Sequence, residues 1–407
     1  MFEREVNPQR VTEAEIAVVI PSYQEADSIA HPTRVASEGL RRYFPDKKGV
    51  IINADNASPD GTEEVFLATE TEVPKIHITT PPKTPGKGWN FENAFRKINV
   101  LGARAVVCVD ADLISITPEW MKYMAEPILE QGYDYLAPLY SRHKYDGTIT
   151  NNICYPMTRM LYGVEVRQPI GGDFGFSGEL LSAYLSQDVW QTDVARFGID
   201  IWMTTTAINE GFRVAQANLG AKIHDPKDPA SSLGPMFRQV VGTLFSLMKQ
   251  YEGKWKAAHE VVQAPILGPV VEQEPEPVAV TLPALIQKLR DGLAENGAIW
   301  EKVLRPENMA AVRHIAALPA TEYAFSPQQW AQVLFDFAVA FCGRKETGLT
   351  AQAIIDAMTP LYFGRTGGMV RFSMDMDTAT FERQVVQTQG LIFEQLKPDL
   401  VRLWEGA

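Results

Sequence analysis

Asp110-Ala111-Asp112 places two carboxylates two residues apart, directly after the apolar run Ala105-Val106-Val107-Cys108-Val109. A turn after the strand lets both approach a nucleotide and its metal. Carboxylate and phosphate oxygens suit Mg2+ or Mn2+, so the pair could hold such an ion against a diphosphate. Alone, the tripeptide reads equally well as two solvated turn residues. Upstream, Pro85-Gly86-Lys87-Gly88 combines glycines that permit close backbone approach with a lysine charge for phosphate. Downstream, His224 follows an expected strand over 212–217, and a neutral imidazole there could complete a metal shell begun by Asp112. A lone lysine or histidine is more often solvated or structural, so each of these readings leans on the others.

Two further stretches carry candidate ligand groups. In Gln168-Pro169-Ile170-Gly171-Gly172-Asp173, the glycines let backbone come close to a sugar ring and Asp173 offers oxygens to hydroxyls. The plain alternative is a flexible turn before a helix. In Arg196-Phe197-Gly198-Ile199-Asp200, the carboxylate precedes an apolar helix, as either a helix-terminal charge or a ligand for an acceptor hydroxyl.

The elements that must position these residues are legible as alternation. Apolar runs at 16–20, 49–54, 75–78 and 105–109 read as buried strands, and 90–101 reads as a helix. The polar residues Ser22, Glu25, Asp55, Asn56, Asp110 and Asp112 follow strand ends. Strands and helices alternating at this pace imply a doubly wound, mostly parallel sheet, whose ligands bind beyond the carboxyl ends of the strands. The pattern breaks between 251 and 283, where Glu272-Gln273-Glu274-Pro275-Glu276-Pro277 has the composition of an extended connector. Helical spacing without strand signals follows at 282–296, 328–341, 350–358 and 381–396. The expected organisation is a catalytic domain over 1–262, a connector over 263–283 and a helical domain over 284–407.

Composition bounds the function. The 407 residues are 45% hydrophobic and 22% charged, as in ordinary globular proteins. With 38 basic against 50 acidic residues the formal charge is -12, which disfavours nonspecific attraction to nucleic acid or anionic membrane. No run approaches the roughly 20 apolar residues of a membrane span, and the opening residues lack a signal-peptide core. The three cysteines, Cys108, Cys154 and Cys342, are too few and too scattered for a disulfide framework. A cytoplasmic location is expected.

In combination, the ordered motifs resemble nucleotide-sugar glycosyltransferases of the GT-A fold, and most closely the retaining glucosyl-3-phosphoglycerate and mannosylglycerate synthases. The resemblance is carried by Val19-Ile20-Pro21-Ser22-Tyr23-Gln24-Glu25, Pro85-Gly86-Lys87-Gly88, Asp110-Ala111-Asp112, Gly147-Thr148-Ile149-Thr150, Gln168-Pro169-Ile170-Gly171-Gly172, Gly198-Ile199-Asp200, and Asn218-Leu219-Gly220 with His224. It implies a Rossmann-like α/β domain with a C-terminal helical domain appended. It also implies that Pro21, Ser22, Glu25, Asp55, Asp110 and Ala111 surround the nucleotide and that Lys87 faces the diphosphate. Asp112 and His224 would ligate Mg2+ or Mn2+. Gly147, Thr148, Thr150, Asn151, Gly171, Gly172, Asp173 and Asp200 would frame the sugar and a glycerate-type acceptor, with Asp112, Lys87 and Asp200 in the catalytic roles.

The resemblance further implies retaining transfer of glucose or mannose. Phosphoglycerate-using relatives carry an arginine where this chain has Thr148, and losing that bidentate phosphate clamp gives free glycerate more weight. Three other readings compete. An inverting enzyme would use Asp173 or Asp200 as its base, and a nucleotide-sugar binding protein would lack turnover. A sugar-nucleotide pyrophosphorylase would carry a glycine-rich loop where Pro21-Ser22-Tyr23-Gln24-Glu25 stands. The helical tail is expected to serve oligomerisation or to cover the site.

Overall fold

The computed structural model describes residues 3–81, 86–223, 233–270, 275 and 277–406. The chain forms two compact units. The first comprises Met1–Ser141, Val166–Asp225 and Gln263–Pro275, and the second Arg142–Glu165, Pro226–Val262 and Glu276–Ala407. This differs from a division at the proline-rich connector. Residues 142–165 and 233–262, expected in the sheet domain, pack instead with the C-terminal helices.

The first unit is built on β1 (Arg4–Val6), β2 (Ile16–Ser22), β3 (Gly49–Asp55), β4 (Lys75–Thr79), β5 (Ala105–Cys108) and β6 (Tyr135–Ser141). After β7 (Val164–Glu165), which lies outside the main sheet, come β8 (Phe174–Ser177) and β9 (Val214–Ala221). β10 (Val262–Gln263) also lies outside it, and β11 (Ile266–Leu267) completes it. Among the described residues the strand order is β1-β4-β3-β2-β5-β8-β6-β9-β11. The pairs β4/β3, β3/β2, β2/β5, β6/β9 and β9/β11 are parallel. β1 and β8 run antiparallel to their neighbours. The mostly parallel α/β sheet expected from the sequence is therefore present.

Every residue of β2 is buried, which explains its unbroken Ile-Ala-Val-Val-Ile run, since a central parallel strand is covered on both faces. Helices α1 (Ala30–Tyr43), α2 (Thr62–Ala68), α3 (Lys87–Leu101), α4 (Pro118–Gln131), α5 (Tyr155–Tyr162), α6 (Gly178–Leu185) and α7 (Ile199–Asn209) follow in chain order, all but α5 within the first unit. One core cluster runs from Ile16, Val18 and Ile20 through Val107, Trp120 and Met121 to Leu219.

Two segments read as irregular are strands. Arg4–Val6, ahead of the first expected strand, pairs with β4 at the sheet edge, where one side is open to water and polar side chains are tolerated. Ile266 and Leu267, inside the expected connector, pair in parallel with Gln216 and Ala217.

The second unit is helical. Besides α5 it contains Gly234–Gln250, Leu282–Val303, Pro306–Ala317, Pro327–Phe341, Ala351–Ser373 and Thr388–Glu405. The helix expected at 328–341 begins with a capping box. Ser326 accepts from the Gln329 N–H while the Gln329 side chain accepts from the Ser326 N–H. Gly292 lets the helix Leu282–Val303 press against Ala351–Ser373, because a Cβ there would stand 2.2 Å from Pro360 Cβ.

Candidate functional site

Strand register sets the site. Ser22 pairs with Asp55 at the carboxyl ends of β2 and β3, and the Ser22 hydroxyl donates to Asp55 Oδ1 at 2.6 Å. Asp55 is further held by the Ser58 N–H at 2.6 Å, so its carboxylate is fixed in a turn that follows the strand. Asn53 donates to Ser22 Oγ at 2.8 Å, and Asn90 of α3 donates to the Ser22 carbonyl at 3.0 Å. Glu25 anchors this edge through its backbone N–H, which donates to Thr62 Oγ1 at 2.9 Å, while its carboxylate accepts from Ser28.

Alongside β2, Val19 pairs with Cys108, which brings Val109 and Asp110 out at the same end of the sheet. Antiparallel β8 starts there, because its Phe174 pairs with Cys108. Asp173, one residue earlier, therefore meets Asp110, and its Oδ1 accepts the Asp110 backbone N–H at 2.8 Å. Lys222 lies just past β9 and donates to Asp110 Oδ2 at 2.9 Å, Asp173 Oδ2 at 2.8 Å and the Gly171 carbonyl at 2.9 Å. Tyr140 of β6 adds its hydroxyl to Asp173 Oδ2 at 2.5 Å.

From the other side, Lys87 at the start of α3 donates to Asp110 Oδ1 at 2.9 Å and to the Gly172 carbonyl at 3.3 Å. Its ammonium lies 3.5 Å from Asp200 Oδ1 in the first turn of α7. That buried Asp200 oxygen makes no hydrogen bond. The approach of these segments depends on glycine. A Cβ on Gly88 would lie 2.0 Å from the Val194 carbonyl oxygen, and one on Gly172 would lie 2.3 Å from Asp110 Oδ2. Gly172 also has φ +91°, a conformation that other residues adopt only with strain.

Two ammonium groups thus compensate three carboxylates. Burial works against the charge on Lys87, but Asp110 and Asp200 outweigh it and hold the lysine above its ordinary range. Burial likewise opposes ionisation of Asp110, yet Lys222 and Lys87 together push its acidity well below the usual carboxylate range. Asp200 goes the other way, since burial raises its pKa more than Lys87 lowers it.

Lys87, Asp110, Gly171, Gly172, Asp173 and Asp200 are accordingly brought together, with Pro21, Ser22 and Asp55 at the adjacent strand ends. Ala111 is buried and Asp112 half-buried in the loop after β5. His224 and Pro85 lie outside the described residues. The residue before His224, Ile223, bonds to the loop that follows Asp112. Its carbonyl accepts from the Ile114 N–H at 3.0 Å, and its N–H donates to Ser115 Oγ at 2.9 Å.

Asp173 differs from its expected place at a substrate hydroxyl. It is 0% exposed, and both of its oxygens serve protein donors. Gly147, Thr148, Thr150 and Asn151 belong to the helical unit, where Thr148 is buried and its hydroxyl meets Tyr362 OH at 2.5 Å. Lys222 and Tyr140 were missed by sequence reasoning. Lys222 stands two residues before His224 in a stretch already singled out, but nothing in the sequence distinguishes a buried lysine from a solvated one.

Residues 17–176 match the family described as Glycosyl transferase family 2. Glucosyl-3-phosphoglycerate synthase of Mycobacterium tuberculosis is 27% identical over 255 residues, covering 57% of this chain and 72% of that relative. The synthase of Mycolicibacterium paratuberculosis is 26% identical over 250 residues, with 57% and 71% covered. The crystal structure of the M. tuberculosis enzyme with Mg2+ and uridine diphosphate aligns at 24% identity and a TM-score of 0.47, covering 57% of this chain and 79% of that one.

Proposed function

We propose that this chain, whose residues 17–176 match the family described as Glycosyl transferase family 2, transfers a hexose, glucose or mannose, from a nucleoside diphosphate sugar to a glycerate-type acceptor. The observation that carries this reading is the Lys87–Asp110–Lys222 cluster at the carboxyl ends of the central strands. Lys87 can turn from Asp110 toward a diphosphate while Lys222 keeps Asp110 compensated. The first lysine is then available to stabilise charge developing on the leaving group. Ser22, Asp55 and Glu25, fixed at the neighbouring strand ends, would surround the nucleotide with Pro21, Asp110 and Ala111.

The donor set also suits a hard divalent ion. Among the described residues no three His, Cys, Asp or Glu side chains gather into a metal site. An ion here would take part of its shell from phosphate and water, as Mg2+ and Mn2+ do in phosphate sites. Asp112 and His224 would hold it, in keeping with the bonds that join Ile223 to the loop after Asp112. When bound, such an ion supplies positive charge beside the diphosphate.

Gly171, Gly172 and Asp200 would face the transferred sugar, while Asp173 holds the Asp110 backbone. Gly147, Thr148, Thr150 and Asn151 are assigned to the acceptor. The buried Thr148 hydroxyl provides no phosphate clamp, which keeps free glycerate beside 3-phosphoglycerate as the acceptor. Retention of anomeric configuration rests on the resemblance of the motifs. The inverting alternative now rests on Asp200 alone, because its unbonded oxygen and raised pKa suit a base, whereas Asp173 is fully engaged.

The test is a matrix of donors (uridine, guanosine and adenosine diphosphate glucose or mannose) against glycerate and 3-phosphoglycerate with Mn2+. Diphosphate release is followed, and the product anomer is read by NMR. A product with the donor's anomeric configuration supports the proposal, and an inverted product moves the base role to Asp200. Nucleotide binding without diphosphate release from any pair would leave a non-catalytic binding protein.

A further inference from the structure

The C-terminal helices have no part in the chemistry so far, yet they contain two buried polar chains that end on one short segment. The first joins Tyr362, in the middle of the helix Ala351–Ser373, to the Thr148 hydroxyl at 2.5 Å. The second begins one turn later at Arg365. Its guanidinium donates to Gln389 Oε1 at 2.5 Å and to the Phe325 carbonyl at 2.7 Å, and Gln389 Nε2 donates to the Asn151 carbonyl at 2.5 Å. A third bond runs from the Trp330 indole N–H to the Asn152 carbonyl at 2.7 Å. Thr148, Asn151 and Asn152 are thus gripped from three helices: Pro327–Phe341, Ala351–Ser373 and Thr388–Glu405.

The bonded groups explain the grip. Residues 150–154 form a wide π-helical turn. Asn151 and Asn152 accept side-chain donors at their backbone carbonyls. Arg365 is an expensive way to hold such a place. It is 3% exposed and forms no ion pair among the described residues, so its charge rests on neutral oxygens alone. An apolar residue would pack there at lower cost. Its directional bond to Gln389, and through Gln389 to Asn151, is what such a residue could not replace.

We infer that the C-terminal helices act as a template for the acceptor loop: Arg365, through Gln389, and Tyr362 are positioning residues that set the conformation of residues 147–152 and thereby the affinity for the acceptor. This rests on the assignment of Gly147, Thr148, Thr150 and Asn151 to the acceptor. It gives the helical region a role distinct from oligomerisation or from covering the site.

The test compares full-length wild type with Arg365→Met, Gln389→Leu and the milder Tyr362→Phe, which removes one hydroxyl. Three readouts are taken: amide hydrogen exchange across 147–154, nucleoside diphosphate affinity by calorimetry, and acceptor KM with kcat. Exchange across 147–154 is expected to rise while exchange across 105–110 stays unchanged. Acceptor KM is expected to rise about fivefold or more, as when a buried hydrogen-bond partner is lost, with nucleotide affinity preserved. Unaltered exchange in Tyr362→Phe and Gln389→Leu overturns the template. Increased exchange with unchanged acceptor KM overturns instead the assignment of this loop to the acceptor. Equal loss of nucleotide affinity and acceptor affinity would mark a general folding defect and also count against the inference.

Discussion

The Asp173 carboxylate accepts the Asp110 backbone N–H at 2.8 Å, so the start of β8 dictates where the loop after β5 leaves the sheet. Asp173 can hold this position only because Lys222 and Tyr140 satisfy its other oxygen. The site is therefore built in layers, with one buried carboxylate shaping the backbone of another that is closer to water.

Removing Lys222 should be felt first as instability. Lys222→Met leaves the Asp173 carboxylate buried without its cation, a loss of about 3–5 kcal/mol for a broken buried pair. Urea unfolding measures it, and a midpoint equal to wild type would show that Lys222 does not stabilise this cluster.

Lys87→Met should separate catalysis from folding. Lys222 still compensates Asp110 in that variant and Asp200 can take up a proton, so the unfolding midpoint should fall less than in Lys222→Met, whereas turnover should fall by about 100- to 1,000-fold, the scale seen when one charge-stabilising donor is lost. Steady-state rates beside a denaturation curve decide this, and retained turnover would remove Lys87 from the diphosphate.

Gly172→Ala tests the contact between backbone and Asp110. The new methyl would meet Asp110 Oδ2 at 2.3 Å at a φ of +91°, for a strain of roughly 1–3 kcal/mol before any rearrangement. Donor KM should rise with little change in acceptor KM. Wild-type donor kinetics would mean that the loop relaxes freely.

The pH profile should carry the signature of Asp200. Its pKa is raised chiefly by burial, and it faces Lys87, Asp110, Lys222 and Asp173. A carboxylic acid raised in the folded state favours folding in its protonated form. That contribution is complete below the unfolded pKa and is lost as pH rises through the folded value. If ionised Asp200 is needed for turnover, the acid limb of kcat will fall above the ordinary carboxylate range, and Asp200→Asn will abolish it along with most activity. An acid limb that persists in Asp200→Asn with near-normal rates would assign it to another group.

Much of this arrangement was readable from the residues. β2, β3, β4 and β5 stand where continuous apolar runs ended in polar clusters, because strands covered on both faces leave little freedom of composition. β8 was not readable. Phe174-Gly175-Phe176-Ser177 is short and glycine-flanked, so it looks like a turn, and its antiparallel pairing with β5 and β6 is decided by partners distant in the chain. For the same reason Asp173 was taken as a ligand for substrate, when its surroundings make it a ligand for protein. The division of the chain was also hidden, because the Pro- and Glu-rich segment marks a change in composition, whereas the units follow packing. Thr148 shows how a motif can be recognised while its environment is not. Its place in the order of motifs was visible, but its burial against Tyr362 was not.

The short strand β11 has a practical consequence for anyone wishing to express the sheet-bearing half alone. Terminating the polypeptide after 262 would strip Ile266 and Leu267 from β9 and bare a row of backbone donors and acceptors along Gln216 and Ala217, an invitation to self-association. Nor would a single cut suffice, since 142–165 and 226–262 leave the sheet-bearing unit and return to it. A faithful excision has to replace both excursions with linkers and keep the chain through Pro275.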